Sequence, residues 1–276
     1  MRLTRFLSAA SAALLTAALA LTGGQVAQAA DATAQDRANT QAASAYVALG
    51  DSYSSGVGAG DYDASSGDCK RSNRAYPKLW ANKNAPSSFN FTACSGARTG
   101  DVLANQLGPV NSGTGLVSIT IGGNDAGFAD VMTTCVLQSE SACVNRINTA
   151  RAYVESTLPG KLDQVYSAID SRAPSARVVV LGYPRFYQLN GSCVAGLTEK
   201  ERTAINNAAD LLNTTIAKRA ADHGFAFGDI ASRFAGHEIC SSNSWLHSVT
   251  FPIGDSYHPT AAGQSGGYLP SFAAAA

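Results

Sequence analysis

Short apolar runs alternate with amphipathic stretches along most of this 276-residue chain. Apolar runs bounded by turn residues are typical of buried strands, whereas apolar positions three and four residues apart are typical of helices packed on a core. The pattern predicts strands over residues 46–49, 88–92, 115–121, 177–182 and 225–228. It predicts helices over residues 75–82, 126–134, 144–171 with an interruption at Pro159-Gly160, 198–223, and from Pro259 onward. This alternating order predicts one parallel sheet covered by helices on both faces.

Two segments carry the clearest local signals. Val178-Val179-Val180-Leu181 is a continuous apolar run, as expected for a strand buried on both faces. Thr198 and Glu201 form a capping box that begins a helix, and Gly224 ends it. Neither an internal repeat nor a low-complexity linker divides residues 45–276, so we expect a single domain there.

The N-terminal segment has the composition of an export signal. Arg2 and Arg5 form a basic start, residues 6–30 carry no charge, and Ala27-Gln28-Ala29 offers a small-x-small cleavage site. We predict a signal peptide over residues 1–29 and a mobile leader over residues 30–44, and therefore a secreted protein. A retained membrane anchor is the alternative, because the uncharged stretch is long enough to span a bilayer. No later segment is, so stable membrane insertion is not expected after cleavage.

The charge of the chain gives no sign of a polyanionic partner. Removal of Arg2 and Arg5 leaves 18 Lys and Arg against 20 Asp and Glu, and charged residues make up only 14% of the chain. No basic run is present, so nucleic-acid binding is not expected. We expect a monomer that acts on a small-molecule or lipid substrate with little or no charge.

Six cysteines form an even set, which in an exported chain predicts disulfides. Sequence permits fifteen pairings, but neighbouring cysteines would close short loops. On that ground we favour Cys69 with Cys94, Cys135 with Cys143, and Cys193 with Cys240. A zinc site is the competing interpretation, but the chain has no C-x-x-C pair and no cysteine next to a histidine at ligand spacing. We therefore expect no metal.

Ser52 is the leading candidate nucleophile, because Gly50-Asp51-Ser52-Tyr53-Ser54 leaves the first predicted strand in a turn that can hold a hydroxyl rigidly toward solvent. Three later segments contain further candidates: Gly96 in Cys94-Ser95-Gly96-Ala97, Asn124 in Gly122-Gly123-Asn124-Asp125, and His258 in Asp255-Ser256-Tyr257-His258-Pro259. Ligands of parallel sheets collect beyond the carboxyl ends of the strands. The four segments are therefore predicted to converge on one crevice.

In this order the four segments resemble the sequence blocks of the GDSL, or SGNH, hydrolases, over about residues 45–270. The chain is most similar to the secreted actinobacterial lipase and esterase branch. The resemblance implies a three-layer, flavodoxin-like α/β fold and acyl transfer without a cofactor. It implies Ser52 as nucleophile, His258 as base, and an oxyanion hole formed by the backbone N–H groups of Ser52 and Gly96 with the Asn124 side chain. Tyr53 replaces the Leu of the GDSL label, and we expect this packing position to leave the mechanism unchanged.

The group that orients His258 stays open at this point. Asp255 lies three residues before His258, as in the family's D-x-x-H block, and its carboxylate could accept the imidazole Nδ1 proton. The backbone carbonyl of Ser256 could do the same. Sequence spacing does not separate them, although Gly254 and Pro259 favour a backbone turned toward the ring.

The sequence predicts a secreted serine hydrolase of carboxylic esters, most similar to a lipase or esterase acting on acylglycerols. Phospholipase A1 or carbohydrate acetyl esterase activity on the same machinery is the alternative. A secreted binding module without turnover is a second alternative, although such a module would not need all four site residues. Gly263-Gln264-Ser265-Gly266-Gly267 matches the G-x-S-x-G pattern of other hydrolases, but no Asp, Glu or His follows it.

Overall fold

The computed structural model describes residues 44–193 and 196–276, so the predicted signal peptide and residues 30–43 of the leader lie outside the described residues. The strands are β1 (Ala45–Gly50), β2 (Phe89–Phe91), β3 (Thr114–Thr120), β4 (Arg177–Leu181) and β5 (Ala226–Gly228). The helices are α1 (Ser52–Ser55), α2 (Tyr76–Asn84), α3 (Thr99–Asp101), α4 (Phe128–Leu137), α5 (Glu140–Ser156), α6 (Leu158–Arg172), α7 (Glu199–Asp222), α8 (Ile230–Arg233) and α9 (Leu269–Ala275). Shorter 3-10 turns cover Ala64–Cys69 and Ile253–Asp255, and π-helical turns cover Val102–Gln106 and Gly263–Tyr268.

The five strands form one parallel sheet in the order β2-β1-β3-β4-β5. This is the flavodoxin-like order, in which β2 is added on one side of β1 and the later strands are added on the other side. This change of side opens a crevice at the carboxyl ends of β1 and β3. The predicted fold class is confirmed, and the crevice lies where the turns after β1 and β3 carry Ser52 and Asn124.

Helices cover both faces of the sheet. Successive side chains of a strand point to opposite faces, and all the residues from Tyr46 to Leu49 are buried. On one face, Tyr46 packs against Trp80 of α2 and Phe272 of α9, with ring centroids 5.2 and 5.4 Å away. The Tyr46 hydroxyl is paired with Ser118 Oγ at 2.7 Å, so its burial leaves no polar atom unsatisfied. Helices α5, α6 and α7 pack against one another as a second group.

Two predicted boundaries are wrong. The break in the long helical stretch falls at Thr157, because Pro159 lies in the first turn of α6, where a missing N–H is tolerated. Pro259 does not begin the last helix; it forms a bridge with Leu246. The backbone becomes helical after Thr260, whose hydroxyl accepts a hydrogen bond from Gly263 N at 3.2 Å.

Three disulfides join the six cysteines, and they are the pairs favoured by short-loop closure: Cys69–Cys94, Cys135–Cys143 and Cys193–Cys240. The first ties the loop before Gly96 to the end of the Ala64–Cys69 turn, and Ser95 N donates to Cys69 O at 3.1 Å. Across the described ranges, none of the helices has the length and apolar character needed to cross a bilayer.

Candidate active site

The turn between β1 and α1 holds Ser52 at the first residue of the helix, where its side chain is only 6% exposed. Gly50 precedes it with φ of 122°, and a Cβ at this position would lie 2.4 Å from Thr120 O. Only glycine allows β1 to approach β3 this closely in that conformation. The side chain of Asp51 caps α1 by accepting a hydrogen bond from Tyr53 N at 3.0 Å. The backbone that carries Ser52, the candidate nucleophile, is therefore rigid.

The imidazole of His258 lies between Ser52 and its own backbone. Nε2 is 2.8 Å from Ser52 Oγ, and Nδ1 is 3.0 Å from the carbonyl oxygen of Ser256. A carbonyl only accepts hydrogen bonds, so Nδ1 carries the proton in this arrangement. Nε2 is then left to accept the proton of the Ser52 hydroxyl, which is the pairing that a serine nucleophile and its base require.

The carboxylate of Asp255 points elsewhere. It accepts a hydrogen bond from the Tyr62 hydroxyl at 3.2 Å, while the Ser256 carbonyl occupies the hydrogen-bonding position at the imidazole Nδ1. Tyr257 has a left-handed backbone with φ of 64°, within the turn that brings this carbonyl to the ring. Of the two candidates left open by spacing, the carbonyl is the one in contact with His258.

Burial lowers the pKa of His258 to about 4, and the Ser256 carbonyl and the Asp255 charge oppose this shift only in part. Desolvation disfavours the charged imidazolium, so the ring is neutral at pH 7. A neutral imidazole is the form that accepts a proton, and the site is therefore in the state that general-base chemistry needs.

Two of the predicted oxyanion donors, Ser52 and Asn124, line the crevice, and Gly96 lines a second groove together with Ala97. Asn124 follows β3, and its Nδ2 donates to Ala97 O at 3.0 Å, which leaves the second N–H of the amide for another acceptor. In the part of the chain that the structure describes, the backbone N–H groups of Ser52 and Gly96 have no acceptor. Gly96 has φ of 78°, in the region that favours glycine. These are the donors that the sequence assigned to an oxyanion hole.

The loops that carry Gly96 and Asn124 are tied together. Asp125 accepts hydrogen bonds from Thr99 N at 3.0 Å and from Thr99 Oγ1 at 2.6 Å, which joins the loop after β3 to the start of α3. The Cys69–Cys94 disulfide restrains the loop that carries Gly96 at its other end. Both donors are thus positioned by cross-links rather than by a single segment.

Asp51 anchors a buried network that sequence reasoning missed. Its carboxylate is 1% exposed and accepts hydrogen bonds from Thr120 Oγ1 at 2.7 Å and from the Tyr183 hydroxyl at 2.5 Å, besides that from Tyr53 N. The Tyr183 hydroxyl in turn accepts a hydrogen bond from Gly123 N at 3.2 Å. Burial raises the pKa of Asp51 to about 6, and the hydrogen bonds from Tyr183, Thr120 and Tyr53 oppose this shift.

Tyr53 does more than pack. Its hydroxyl donates to the carbonyl oxygen of Tyr257 at 2.7 Å, and its ring centroid lies 5.3 Å from that of His258. The position contributes packing, as expected, and its hydroxyl also holds the backbone next to His258. A tyrosine in place of the family's leucine was the available signal, since a buried hydroxyl needs a partner.

An apolar cleft with an empty volume of about 710 Å³, including its open mouth, extends from Ser52. Its polar lining includes Ser52, Asn124 and, on α5, Arg151, whereas helices α4, α5 and α7 supply most of its apolar wall. The wall contains Ala126, Phe128, Val131, Met132, Val154, Phe186, Ile205 and Leu212. An apolar wall with a few polar groups at one end is typical of small-molecule sites.

The other histidines have structural partners. His223 contacts Asp163, His237 stacks on Trp245, and His247 Nε2 is 2.8 Å from Gly58 O. Ser265 of the G-x-S-x-G segment is exposed, and its hydroxyl donates to Ala262 O at 3.4 Å. Among the described residues, no group of three or more His, Cys, Asp and Glu side chains is placed to hold a metal ion.

A family model described as the GDSL-like Lipase/Acylhydrolase family matches residues 48–265. The chain belongs to this family. It is 68% identical over 270 residues to a lipase of Streptomyces rimosus, with 98% of each chain covered. As a member of the GDSL-like family, the chain is a carboxylic ester hydrolase, as the sequence predicted.

Two solved structures are similar along the whole hydrolase domain. Phospholipase A1 from Streptomyces albidoflavus NA297 has 73% sequence identity and a TM-score of 0.84, covering 85% of this chain and 100% of its own. The extracellular lipase from Streptomyces rimosus has 72% identity and a TM-score of 0.84, with the same coverage. One of these similar proteins is thus described as a phospholipase A1 and the other as a lipase.

Proposed function

We propose that this GDSL hydrolase is a secreted lipase that cleaves carboxylic esters of acylglycerols through a Ser52–His258 dyad oriented by the Ser256 carbonyl. The observation that carries the proposal is the 2.8 Å contact between Ser52 Oγ and His258 Nε2 at the mouth of an apolar cleft. Acyl transfer requires a nucleophile, a neutral base and hydrogen-bond donors, and Ser52, His258 and Asn124 would supply them.

The proposed reaction begins when Ser52 Oγ attacks the ester carbonyl carbon and its proton passes to His258 Nε2. The oxygen that gains the negative charge accepts hydrogen bonds from Ser52 N, Gly96 N and Asn124 Nδ2. Collapse of this intermediate breaks the bond to the alcohol oxygen, which takes the proton from His258 and leaves an acyl-Ser52 ester. Water then attacks the acyl carbon and passes a proton to His258 Nε2. The bond to Ser52 Oγ breaks, Oγ takes that proton back, and the fatty acid leaves. The Ser256 carbonyl keeps the Nδ1 proton in place throughout.

The cleft favours a long acyl chain over an acetyl group. Each methylene buried against an apolar wall contributes about 0.8 kcal/mol, so the apolar side chains of α4, α5 and α7 that line the cleft favour a long chain. An acetyl group would make little use of this apolar lining, which argues against a carbohydrate acetyl esterase. Phospholipase A1 activity is the second candidate, because a phospholipase A1 is 73% identical. Its substrates offer the same long-chain ester.

Export is part of the proposal. Three disulfides join all six cysteines, and such bonds persist in oxidising compartments. A 72% identical relative is described as extracellular. We infer a signal peptide over residues 1–29, a leader over residues 30–44 and a hydrolase domain over residues 45–276. Sequencing the N-terminus of protein recovered from the culture medium should give Ala30, whereas Met1 would contradict cleavage.

The central test compares two serines. Ser52→Ala should reduce kcat on a soluble acyl ester by about a millionfold without changing the melting temperature by much. Ser265→Ala is the matched control. Ser265 is exposed and lies in the G-x-S-x-G segment, and the variant should retain full activity. A substrate series of triacylglycerol, phospholipid and acetylated sugar then separates the candidates. Substantial turnover by pure Ser52→Ala protein, or a preference for acetyl esters, would contradict the proposal.

A further inference from the structure

Three large apolar side chains are exposed on one short loop, residues 249–253, which we name the apolar loop. Val249 is 51% exposed, Phe251 is 94% exposed and Ile253 is 70% exposed. Single exposed apolar residues are ordinary on protein surfaces, but three on five consecutive residues are a concentration that indicates an interaction site.

The apolar loop is held in shape by its backbone. Thr250 N donates to Ser256 Oγ at 3.0 Å, and Ser256 Oγ donates to Thr250 O at 3.3 Å. Asp255 N and Ser256 N donate to Pro252 O and Ile253 O, at 2.9 and 3.1 Å. These bonds close the loop at its base, so the apolar side chains stay exposed instead of collapsing onto the core.

The base of the apolar loop belongs to the catalytic machinery. Ser256, whose hydroxyl closes the loop, also offers the carbonyl that accepts from His258 Nδ1 at 3.0 Å. Phe251 therefore lies only a few residues along the chain from His258 of the proposed dyad. The loop is placed to bring the mouth of the site against whatever it binds.

The apolar surface continues onto the end of α4. Val249 lines a groove together with Val136, and Leu137, the next residue of α4, is 75% exposed. Val131 and Met132 of the same helix line the acyl cleft. One helix thus joins exposed apolar surface to the cleft that we propose for the acyl chain.

A cation lies beside the apolar loop. A Cβ at Gly254 would be 3.3 Å from Lys70 Nζ, and in the described ranges Lys70 forms none of the ion pairs. Apolar side chains flanked by a cation match the layering of a lipid surface, where acyl chains lie beneath headgroups that carry phosphate or ester oxygens.

We propose that the apolar loop docks this enzyme onto the surface of its aggregated lipid substrate, with Phe251 and Ile253 inserted among the acyl chains and Lys70 at the headgroups. The proposal rests on the proposed lipase function and adds the surface that this function would use. Docking at the loop would place the mouth of the cleft against the lipid and spare each acyl chain a passage through water.

The size of the apolar loop favours a lipid surface over a protein partner. The apolar loop presents three large apolar side chains, whereas a specific protein interface involves about 20–30 residues on each partner. A lipid surface needs no matching shape, and burial of each inserted side chain is favourable before the costs of association. Weak, reversible binding is the expected result, without stable insertion.

The binding test uses the Ser52→Ala background, so that vesicles stay intact, and vesicles of phosphatidylcholine with one-fifth phosphatidylglycerol. Phe251→Ser with Ile253→Ser should weaken co-sedimentation by about tenfold or more. Phe251→Trp should still bind, and its emission should shift to shorter wavelength on vesicle addition. Ala221→Trp is the matched control: this exposed residue lies shortly before β5 begins, at the sheet edge opposite the site, and should show no shift.

The activity test uses the enzyme with Ser52 intact, on aggregated and on dissolved substrate. The double variant should lose about tenfold in rate on vesicles or emulsified triacylglycerol, yet stay within twofold on a dissolved short-chain ester. Equal rates of variant and parent on vesicles would overturn docking, and so would a dimer that Phe251→Ser dissociates. A parent enzyme that binds vesicles but hydrolyses neither substrate would instead contradict the proposed function, so the two failures are distinguishable.

Discussion

Replacement of Tyr183 by Phe removes one hydroxyl that joins the nucleophile turn to the loop carrying Asn124. The hydroxyl donates to Asp51 Oδ2 at 2.5 Å and accepts from Gly123 N at 3.2 Å. Asp51 caps the helix that begins with Ser52, and Gly123 immediately precedes Asn124. We therefore expect Tyr183 to act as a positioning residue for both halves of the site.

The magnitude follows from these two bonds. A hydrogen bond to a charged group contributes about 1.5–3 kcal/mol to stability, and Phe also leaves the buried Gly123 N–H without its acceptor. Complete removal of the Asn124 donor by Asn124→Ala should lower kcat by about a hundred- to a thousandfold. A loosened Asn124 should cost less, so Tyr183→Phe should lower kcat about tenfold and leave KM nearly unchanged, because the donor acts mainly in the transition state.

Thr120→Val provides the matched control. It removes a second hydroxyl that donates to the Asp51 carboxylate, at 2.7 Å, and it also breaks a bond with Ser54 Oγ at 2.8 Å. Neither contact reaches the loop of Asn124. Thermal unfolding should therefore show both variants destabilised, while steady-state rates on a dissolved ester should show the loss of kcat in Tyr183→Phe only. Equal kcat values in the two variants would refute the positioning role of Tyr183.

Asp255→Asn should lower kcat tenfold or less, because the carboxylate contacts Tyr62 rather than the imidazole; a loss near ten-thousandfold, comparable to that of His258→Ala, would make Asp255 the third catalytic residue. The pH profile of kcat/KM should stay level from pH 7 to about 5 and fall below about 4, since His258 must be neutral; a fall centred near 6.5 would contradict the lowered pKa. Each disulfide should contribute about 2–4 kcal/mol, so reduction should lower the melting temperature sharply, and unreduced peptide maps should recover the three pairs.

The parts of the site that could be predicted from sequence are those set by local chain geometry. Ser52 and Asn124 lie in the turns that follow β1 and β3, and the order of β and α elements already determines that strand ends meet at one edge. The cysteine pairs close short loops, so proximity along the chain predicted proximity in space. The predicted ends of helices were less accurate, because Pro159 is compatible with both a helix end and a helix start.

The parts that could not be predicted depend on packing between distant segments. The hydroxyl of Tyr183 meets Asp51 across 132 residues, and that of Tyr53 meets the Tyr257 carbonyl across 204. No periodicity encodes which side of a ring faces which loop. The choice between Asp255 and the Ser256 carbonyl is of the same kind, since it depends on a left-handed backbone at Tyr257 that spacing does not specify.

Two buried titratable groups of the site shift in opposite directions, and this limits their joint effect on stability. Between about pH 4 and 6.5 the unfolded chain holds a proton on His258 that the folded chain lacks, so this group makes stability rise with pH. Between about pH 3.8 and 6 the folded chain holds a proton on Asp51 that the unfolded chain lacks, so this group makes stability fall as pH rises. The two slopes oppose each other over nearly the same range. A neutral base and a buried carboxylate can therefore coexist beside Ser52 without making the fold steeply sensitive to acid.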